Sequence, residues 1–286
     1  MYSKRLKSIF THLHIYSVLN IENTQETGVF ENADIRFTYC FWCNKGMPMI
    51  FFAGFGERTA IYRSLLAALP ANISLLVIET PLLYCRKEGS GLETGLMELL
   101  SRLGFGKEIF LGGFSFGNWV AASLIQSKTL TVRAWILVSP STPFSYRAFQ
   151  LVNNTYFLNT LGSLLLKSKW LKKLLTQIAP IFVKSRVKRA FIIHLLQSES
   201  LLINYLYSSA PKYALRTQFI YAKSLKIPVL FLASINDPIS SSEKTIDIGN
   251  AHSENACVFY IKSKTHSAFD KEFIEEIDSF LSRICI

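Results

Sequence analysis

Near the middle of the chain stands the segment Ile109-Phe110-Leu111-Gly112-Gly113-Phe114-Ser115-Phe116-Gly117-Asn118-Trp119-Val120-Ala121-Ala122-Ser123-Leu124. Its apolar beginning is typical of a buried strand, and its end carries small and apolar residues at helical spacing. Between the two halves lies a G-x-S-x-G turn centred on Ser115. Glycines two positions before and two positions after the serine allow neighbouring backbones to approach without a Cβ clash. The segment therefore predicts a sharp strand-to-helix bend that presents the Ser115 hydroxyl as a nucleophile.

Predicted strands and helices alternate on both sides of this bend, in a chain of 286 residues of which 50% are hydrophobic. The other predicted strands cover residues 34–43, 47–53, 73–78, 134–138, 228–233 and 256–261. Alternation of this kind predicts an α/β fold, with a mostly parallel central sheet and helices on both of its faces. For residues 1–27 the pattern leaves a first strand and an N-terminal helix open.

The first two of these predicted strands are separated by Asn44-Lys45-Gly46, which has the composition of a tight turn. Parallel neighbours need a much longer crossover connection, whereas antiparallel neighbours can be joined by a few residues. We therefore expect residues 34–43 and 47–53 to form an antiparallel hairpin.

The alternation stops after residue 140 and returns near residue 213. We interpret residues 1–140 and 213–286 as two parts of one α/β core, and residues 141–212 as a helical cap inserted between them. Residues 141–197 contain nine cations and no Asp or Glu, in a chain with a net charge of +11. These cations are Arg147, Lys167, Lys169, Lys172, Lys173, Lys184, Arg186, Lys188 and Arg189. The predicted cap is therefore strongly basic.

The five cysteines are odd in number and lack the spacing of a disulfide framework, which is typical of a reducing compartment. Cys40 and Cys43 form a C-x-x-C pattern within a predicted strand, where residues three apart point to opposite faces. We interpret them as core residues, and predict no metal site. The sequence lacks the stretch of about 18 apolar residues that a membrane span requires. We expect a cytoplasmic protein, with peripheral membrane association left open.

A serine is a weak nucleophile at neutral pH and needs a base, which in turn is oriented by an acid. Among the five histidines, His266 follows the predicted strand 256–261 and should reach the same sheet edge as Ser115. The others are His12, His14, His194 and His252, none of which follows a predicted strand. We predict His266 as the base.

Asp237 follows the predicted strand 228–233 and is the expected acid. Glu79 also ends a strand and is a rival, although it is better interpreted as fixing a loop by hydrogen bonds. Glu243 and Asp247 fall on a predicted helix. Acyl transfer also requires hydrogen-bond donors for the oxyanion. The backbone N–H groups of Phe116 and Phe55 are the candidates, although the glycines beside Phe55 are equally typical of a tight turn.

Together these residues resemble the α/β-hydrolase superfamily from about Glu31 onward. The resemblance rests on Ala53-Gly54-Phe55-Gly56, Gly113-Phe114-Ser115-Phe116-Gly117, Asn236-Asp237-Pro238 and Thr265-His266, in the order of the family. It implies cofactor-free hydrolysis by an esterase, lipase, thioesterase or amidase with a Ser115, Asp237 and His266 triad. Serine at the bend excludes the aspartate nucleophile of related dehalogenases. Ala53 replaces the histidine of many members, and Lys264-Thr265 precede His266 where glycine is common.

The predicted site is surrounded by aromatic residues, which suggest a pocket for an aliphatic acyl chain. The substrate-binding candidates are Phe114, Phe144, Phe149 and Trp170. For the cap members of this set, packing within the cap is an equally good interpretation. The leading hypothesis is therefore a serine hydrolase acting on a carboxylic ester or thioester.

The basic surface of the cap, with Lys172, Lys173, Lys188 and Arg189 as its test residues, suggests an acidic partner. An anionic membrane is one candidate. The resemblance adds an acidic acyl carrier protein, as in carrier-linked methyl ester esterases. A solvated surface without a partner is a third interpretation, and nucleic acid is not expected because no binding motif accompanies the charge. The alternative to an enzyme is a non-catalytic protein of this fold that binds a membrane or partner through the cap.

Overall fold

The structure is a computed structural model that describes residues 25–32, 35–44, 46–54, 57, 59–79, 91–125, 129–140, 168–182, 225–235, 237, 256–261 and 271–284. In these ranges the strands are β1 Gln25–Glu31, β2 Arg36–Trp42, β3 Met47–Phe52, β4 Ile73–Ile78, β5 Glu108–Phe114, β6 Thr131–Val138, β7 Val229–Ser234 and β8 Ala256–Ile261. The helices are α1 Gly91–Arg102, α2 Gly117–Leu124, α3 Lys169–Phe182 and α4 Lys271–Ile284, together with a 3₁₀ helix, Thr59–Ala68.

The strands form one eight-stranded sheet in the order β1-β2-β4-β3-β5-β6-β7-β8. β2 runs antiparallel to both of its neighbours, whereas the pairs from β4 to β8 are all parallel. Every residue of β4 and of β7 is buried. Such uniformly apolar strands are expected where helices cover both faces of a parallel sheet. The predicted α/β class is confirmed.

Two clusters of buried side chains lie on the two faces of the sheet. On one face, α1 and α2 contribute apolar residues that pack with β-strand residues such as Ile50 and Leu111. On the other face, the 3₁₀ helix and α4 pack with residues such as Phe51 and Phe110. Successive strand residues point to opposite faces, so the inner strands β2 to β7 supply both clusters in alternation. Cys40 belongs to the second cluster and Cys43 packs against the first, which confirms their prediction as core residues on opposite faces.

The predicted hairpin between β2 and β3 is wrong, because β4 lies between these two strands. Ile78 of β4 pairs with Tyr39 of β2 on one side and with Phe52 of β3 on the other. Asn44 fixes the crossing: its N–H donates to Ser74 Oγ at 3.0 Å, and its Nδ2 donates to Ile73 O at 2.9 Å. The connection is therefore anchored to the start of β4 and carries the chain past that strand. β2 instead pairs antiparallel with β1 and with β4. β1 begins at Gln25, and residues 1–24, for which a strand and a helix were left open, lie outside the described residues.

The parallel arrangement collects the carboxyl ends of β3 and of β5 to β8 at one edge of the sheet. Residues that follow these strands are Ala53 and Gly54 after β3, Ser115 after β5, Ser139 after β6 and Asp237 after β7. In open α/β sheets, ligands bind outside the carboxyl ends of the strands. Within the described helices, none is long and apolar enough to cross a membrane.

Candidate active site

Ser115 occupies the bend between β5 and α2 with a φ of 49°, in the left-handed region that side-chain-bearing residues rarely adopt. Such a conformation costs about 1–3 kcal/mol and persists where the surroundings enforce it. Here the Ser115 N–H donates to Val138 O at 2.9 Å, and the Asn118 N–H donates back to Ser115 O at 3.2 Å. The serine is half-buried. The bend predicted from the sequence is thus confirmed as a strained turn held by hydrogen bonds.

The two glycines of the turn are required by close backbone contacts. A Cβ atom on Gly113 would lie 2.7 Å from the backbone nitrogen of Asn118, so only glycine lets α2 begin directly above the end of β5. A Cβ atom on Gly117 would lie 2.1 Å from Phe52 O, at the end of β3. Because these neighbours are backbone atoms, a rotamer change does not relieve either contact. The glycines therefore let the turn fit against its own helix and against the adjacent strand.

Asn118 connects the turn to β6 and was missed by the sequence reasoning. Its side chain is buried, and its Nδ2 donates to Val138 O at 2.9 Å and to Ser115 O at 3.2 Å. Val138 O therefore accepts from both the Ser115 backbone and the Asn118 side chain. Asn118 Oδ1 has no hydrogen-bond partner among the described residues. The available signal was an amide in the first turn of an otherwise small and apolar helix.

A second serine with positive φ follows the neighbouring strand. Ser139 comes directly after β6 with a φ of 43°, and its N–H donates to Leu232 O of β7 at 2.7 Å. Its side chain is buried. The ends of β5 and β6 are thus both held in strained conformations by hydrogen bonds to the next strand of the sheet.

Asp237, the predicted acid, lies beyond the end of β7 at the same edge as Ser115. Its N–H donates to Ser234 O at 3.2 Å, which turns the chain back over the strand end, and the residue is half-buried. Ser234 pairs with Ile261, the last residue of β8, so both strands end at the same level. His266, the predicted base, lies outside the described residues. The topology therefore brings Ser115 and Asp237 to one edge, with β6 between their strands.

The turn after β3 is closed twice by Glu57. The Glu57 N–H donates to Gly54 O at 3.2 Å, and the Gly54 N–H donates to Glu57 Oε2 at 3.1 Å. Phe55, a predicted oxyanion donor, lies between these two residues and outside the described ones. A Cβ atom on Gly54 would lie 2.7 Å from the Phe114 ring, the residue before Ser115. The closed turn is therefore packed against the strand that carries the serine.

Tyr62 supports this turn from the buried side. Its hydroxyl accepts from the Gly54 N–H at 2.8 Å and donates to the Glu57 carboxylate. Burial raises the pKa of the Tyr62 hydroxyl well above its usual value, and the charge of Glu57 and its hydrogen bond raise it further. The hydroxyl therefore keeps its proton and remains a donor to Glu57. Glu57 and Tyr62 were also missed by the sequence reasoning.

Comparisons with known proteins bear on the fold. No protein-family model and no curated protein matches the chain. Among solved structures, haloalkane dehalogenase DbeA from Bradyrhizobium elkani is 10% identical with a TM-score of 0.58, over 92% of this chain and 99% of that one. A thermophilic esterase from Thermogutta terrifontis is 16% identical with a TM-score of 0.60, over 91% and 99%. An enol-lactonase from Burkholderia xenovorans is 14% identical with a TM-score of 0.58, over 87% and 97%. The chain has the α/β-hydrolase fold.

Within this α/β-hydrolase fold, Glu79 takes a loop-fixing position. It follows β4, and its Oε1 accepts from the Thr59 N–H at 3.0 Å, at the start of the 3₁₀ helix. The Thr59 residue is buried. This hydrogen bond is the role that the sequence favoured for Glu79 over that of a catalytic acid.

The remaining predicted residues are distributed between the core and the surface of the α/β-hydrolase fold. Phe114 is buried in the cluster beneath the 3₁₀ helix and α4, and Phe116 is buried in the cluster beneath α1 and α2. Trp170 is 71% exposed, Lys173 is exposed and Lys172 is half-buried, all on α3. Phe144, Phe149, Lys188 and Arg189 lie outside the described residues.

Proposed function

We propose that the protein is a serine hydrolase that cleaves a carboxylic ester or thioester with an aliphatic acyl group, through an acyl-enzyme. The observation that carries this proposal is Ser115 itself, held at a φ of 49° at the carboxyl edge of the sheet. Strained backbone of this kind is concentrated at functional sites, where the cost of the conformation is offset by the surrounding structure. Ser139 shares a positive φ, but its side chain is buried, whereas Ser115 is half-buried and lies in a G-x-S-x-G turn between a strand and a helix.

The proposed reaction proceeds in two steps. Ser115 Oγ attacks the carbonyl carbon while His266 takes its proton, and the oxyanion is stabilised by the N–H groups of Phe116 and Phe55. Phe116 precedes the first turn of α2, where the positive end of the helix dipole adds to this stabilisation. His266 then returns the proton to the departing alcohol or thiol, and Asp237 orients the imidazole. In the second step water attacks the acyl-enzyme by the same route and frees Ser115.

The identity of the nucleophile separates this reaction from others found on the same fold. A carboxylate that displaces a halide forms an ester, which water can cleave; a serine that does so forms an ether, which the same site cannot hydrolyse. Ser115 therefore favours acyl transfer over dehalogenation, although one fold neighbour is a haloalkane dehalogenase. Other neighbours are described as an esterase and an enol-lactonase. Their similarity in fold supports the proposal only in part, since the chemistry depends on the site.

The test is labelling by a fluorophosphonate probe together with hydrolysis of p-nitrophenyl esters of graded chain length. We expect Ser115→Ala to remove labelling and to lower kcat by about 10⁴-fold or more. Ser123→Ala is the matched control, because Ser123 lies on α2 and its hydroxyl donates to Val120 O within that helix. It should retain both activities. Undiminished labelling and hydrolysis in Ser115→Ala would refute the proposal, and absence of labelling in the wild type would favour the non-catalytic alternative.

A further inference from the structure

Helix α3, Lys169–Phe182, exposes an indole beside its cations. Trp170 is 71% exposed, and Lys169, Lys173 and Gln177 are exposed as well. Where the burial of its side chains is described, residues 169–178, the aliphatic residues are Leu171, Leu174, Leu175 and Ile178, and each of them is half-buried rather than fully buried. The side of the helix that should be covered by protein is therefore still partly in contact with solvent.

The order of residues along α3 separates two faces. At about 100° per residue, Trp170, Leu174 and Ile178 fall on one side together with Leu171 and Leu175. The lysines and Gln177 fall on the other side, and Trp170 stands at the boundary nearest to Lys173. An apolar face flanked by lysines, with tryptophan at the boundary, is the pattern of a helix that lies in a membrane interface.

The cations of α3 lie near its N-terminus, where positive charge is electrostatically unfavourable. Lys169, Lys172 and Lys173 all fall within its first five residues, and its first turn contains no acidic residue. Cations at a helix N-terminus oppose the helix dipole, whereas anions are stabilised there. The Ser168 Oγ accepts from the Leu171 N–H at 3.2 Å, so a neutral cap supplies the local stabilisation. Residues 141–197 provide no Asp or Glu to balance the charges of Lys169 and Lys173. An anionic ligand outside this segment would relieve the repulsion.

We propose that α3 docks on the surface of an anionic phospholipid bilayer, with Trp170 at the boundary of headgroups and acyl chains and with Lys169 and Lys173 at the lipid phosphates. A bilayer offers both components within one surface: anionic oxygens for the lysines, and an interfacial layer in which the amphipathic indole ring is favoured. An acidic carrier protein would pair with the lysines, but it does not by itself account for an indole that is 71% exposed beside them. This inference does not depend on Ser115 being catalytic.

The experiment is co-sedimentation of the full chain with vesicles of equimolar phosphatidylglycerol and phosphatidylcholine, compared with vesicles of phosphatidylcholine alone. We expect binding to the anionic vesicles only. The double variant Lys169→Gln and Lys173→Gln should bind about twenty-fivefold more weakly, at about fivefold for each lysine neutralised. The matched control is Lys107→Gln with Lys271→Gln, which removes the same charge from other exposed positions. It should stay within about threefold of the wild type.

Trp170→Ala should bind about tenfold more weakly, because the indole no longer enters the interface. Because the ring is exposed, the substitution should leave the fold intact, which circular dichroism can check. In a Trp119→Phe background, brominated lipids should quench tryptophan fluorescence, and much less once Trp170→Phe is added, since the two remaining tryptophans, Trp42 and Trp135, are buried. Raising the salt from about 0.1 M to about 1 M shortens the Debye length from about 10 Å to about 3 Å and should release the protein.

Two results would overturn the proposal. One is equal binding of the wild type and Trp170→Ala, with no quenching by brominated lipids, which would show a purely electrostatic contact. The other is failure to bind anionic vesicles while an acidic acyl carrier protein binds and the Lys169→Gln, Lys173→Gln variant loses it. Because binding is measured without substrate, and Ser115→Ala should bind vesicles like the wild type, neither result bears on the proposed hydrolase activity.

Discussion

Replacing Asn118 by aspartate changes the hydrogen bonding around Ser115 without changing the shape of the side chain. In the wild type, Asn118 Nδ2 donates to Val138 O and to Ser115 O. In Asn118→Asp an oxygen takes the place of that nitrogen and faces the same two carbonyl oxygens. When ionised it can donate to neither, and the charge is buried at a position where the wild-type residue is 0% exposed.

The magnitude follows from the pKa of the new carboxyl. Burial and the two facing carbonyl oxygens both disfavour the ionised form, so its pKa in the folded state rises above the unfolded value of about 3.9. A rise of about 3 units corresponds to about 4 kcal/mol. Between the two pKa values the folded state binds more protons than the unfolded state, so stability falls as the pH rises through this window. The loss is complete above the folded-state pKa and is absent below the unfolded one.

The assay is urea unfolding at pH 5 and at pH 8 for the wild type, Asn118→Asp and Asn118→Ala. The alanine variant leaves two carbonyl oxygens without the Asn118 donor and should lose about 2 kcal/mol at both pH values. The aspartate variant should lose about 2 to 3 kcal/mol more at pH 8 than at pH 5, relative to the wild type. If the aspartate variant is folded at pH 5 and already unfolded at pH 8, the change in stability with pH has the expected direction. Equal stability losses at the two pH values would show that Asn118 does not hold the buried position assigned to it.

Two further substitutions test the supports of the site. Gly117→Ala forces a Cβ atom against Phe52 O and should lower the free energy of unfolding, measured by thermal unfolding, by about 3 kcal/mol. Its control is Gly106→Ala, which places a Cβ atom where nothing lies within 4 Å and should change the same free energy by less than about 0.5 kcal/mol. Tyr62→Phe removes a donor from Glu57 beside the proposed oxyanion turn and should lower kcat about tenfold with little change in KM. Its control is Tyr39→Phe, which removes the 2.6 Å hydrogen bond to Glu26 on β1 and should lower the free energy of unfolding without lowering kcat. Equal kcat values for the two variants would show that the turn at Gly54 does not contribute to catalysis.

The parts of the fold that could be predicted from the sequence are those that short-range patterns encode. Apolar runs located β2 to β8. Glycine spacing located the strained turn, because the Cβ clash that it avoids involves atoms only a few residues apart, as at Gly113. Strand order is different. β2, β3 and β4 are all mainly apolar, and the short connection after Trp42 suits a hairpin as well as the crossing anchored by Asn44. The choice depends on pairing between distant residues, such as Tyr39 with Ile78, which no local pattern contains.

The site residues that the sequence did not predict were missed for the same physical reason. Asn118 and Tyr62 each occupy one position in a helical segment, and a periodicity argument considers only which positions of the segment are apolar. Their importance comes from acceptors and donors outside the segment: Val138 O, which is 20 residues from Asn118, and the turn at Gly54. His266 and Phe55 were assigned from strand ends and family resemblance, and both assignments stay predictions.

The turn that carries Ser115 is braced from both neighbouring strands of the sheet. On the β3 side, Gly117 lies so close to Phe52 O that no side chain fits between them. On the β6 side, Val138 O receives hydrogen bonds from the Ser115 backbone and from Asn118. Because β5 lies between β3 and β6, the positive φ of the serine is held by contacts on two sides rather than by the five residues of the turn alone. This explains why a G-x-S-x-G pattern is informative only where an apolar strand precedes it and a helix follows: the strain at its centre requires a sheet on either side to maintain it.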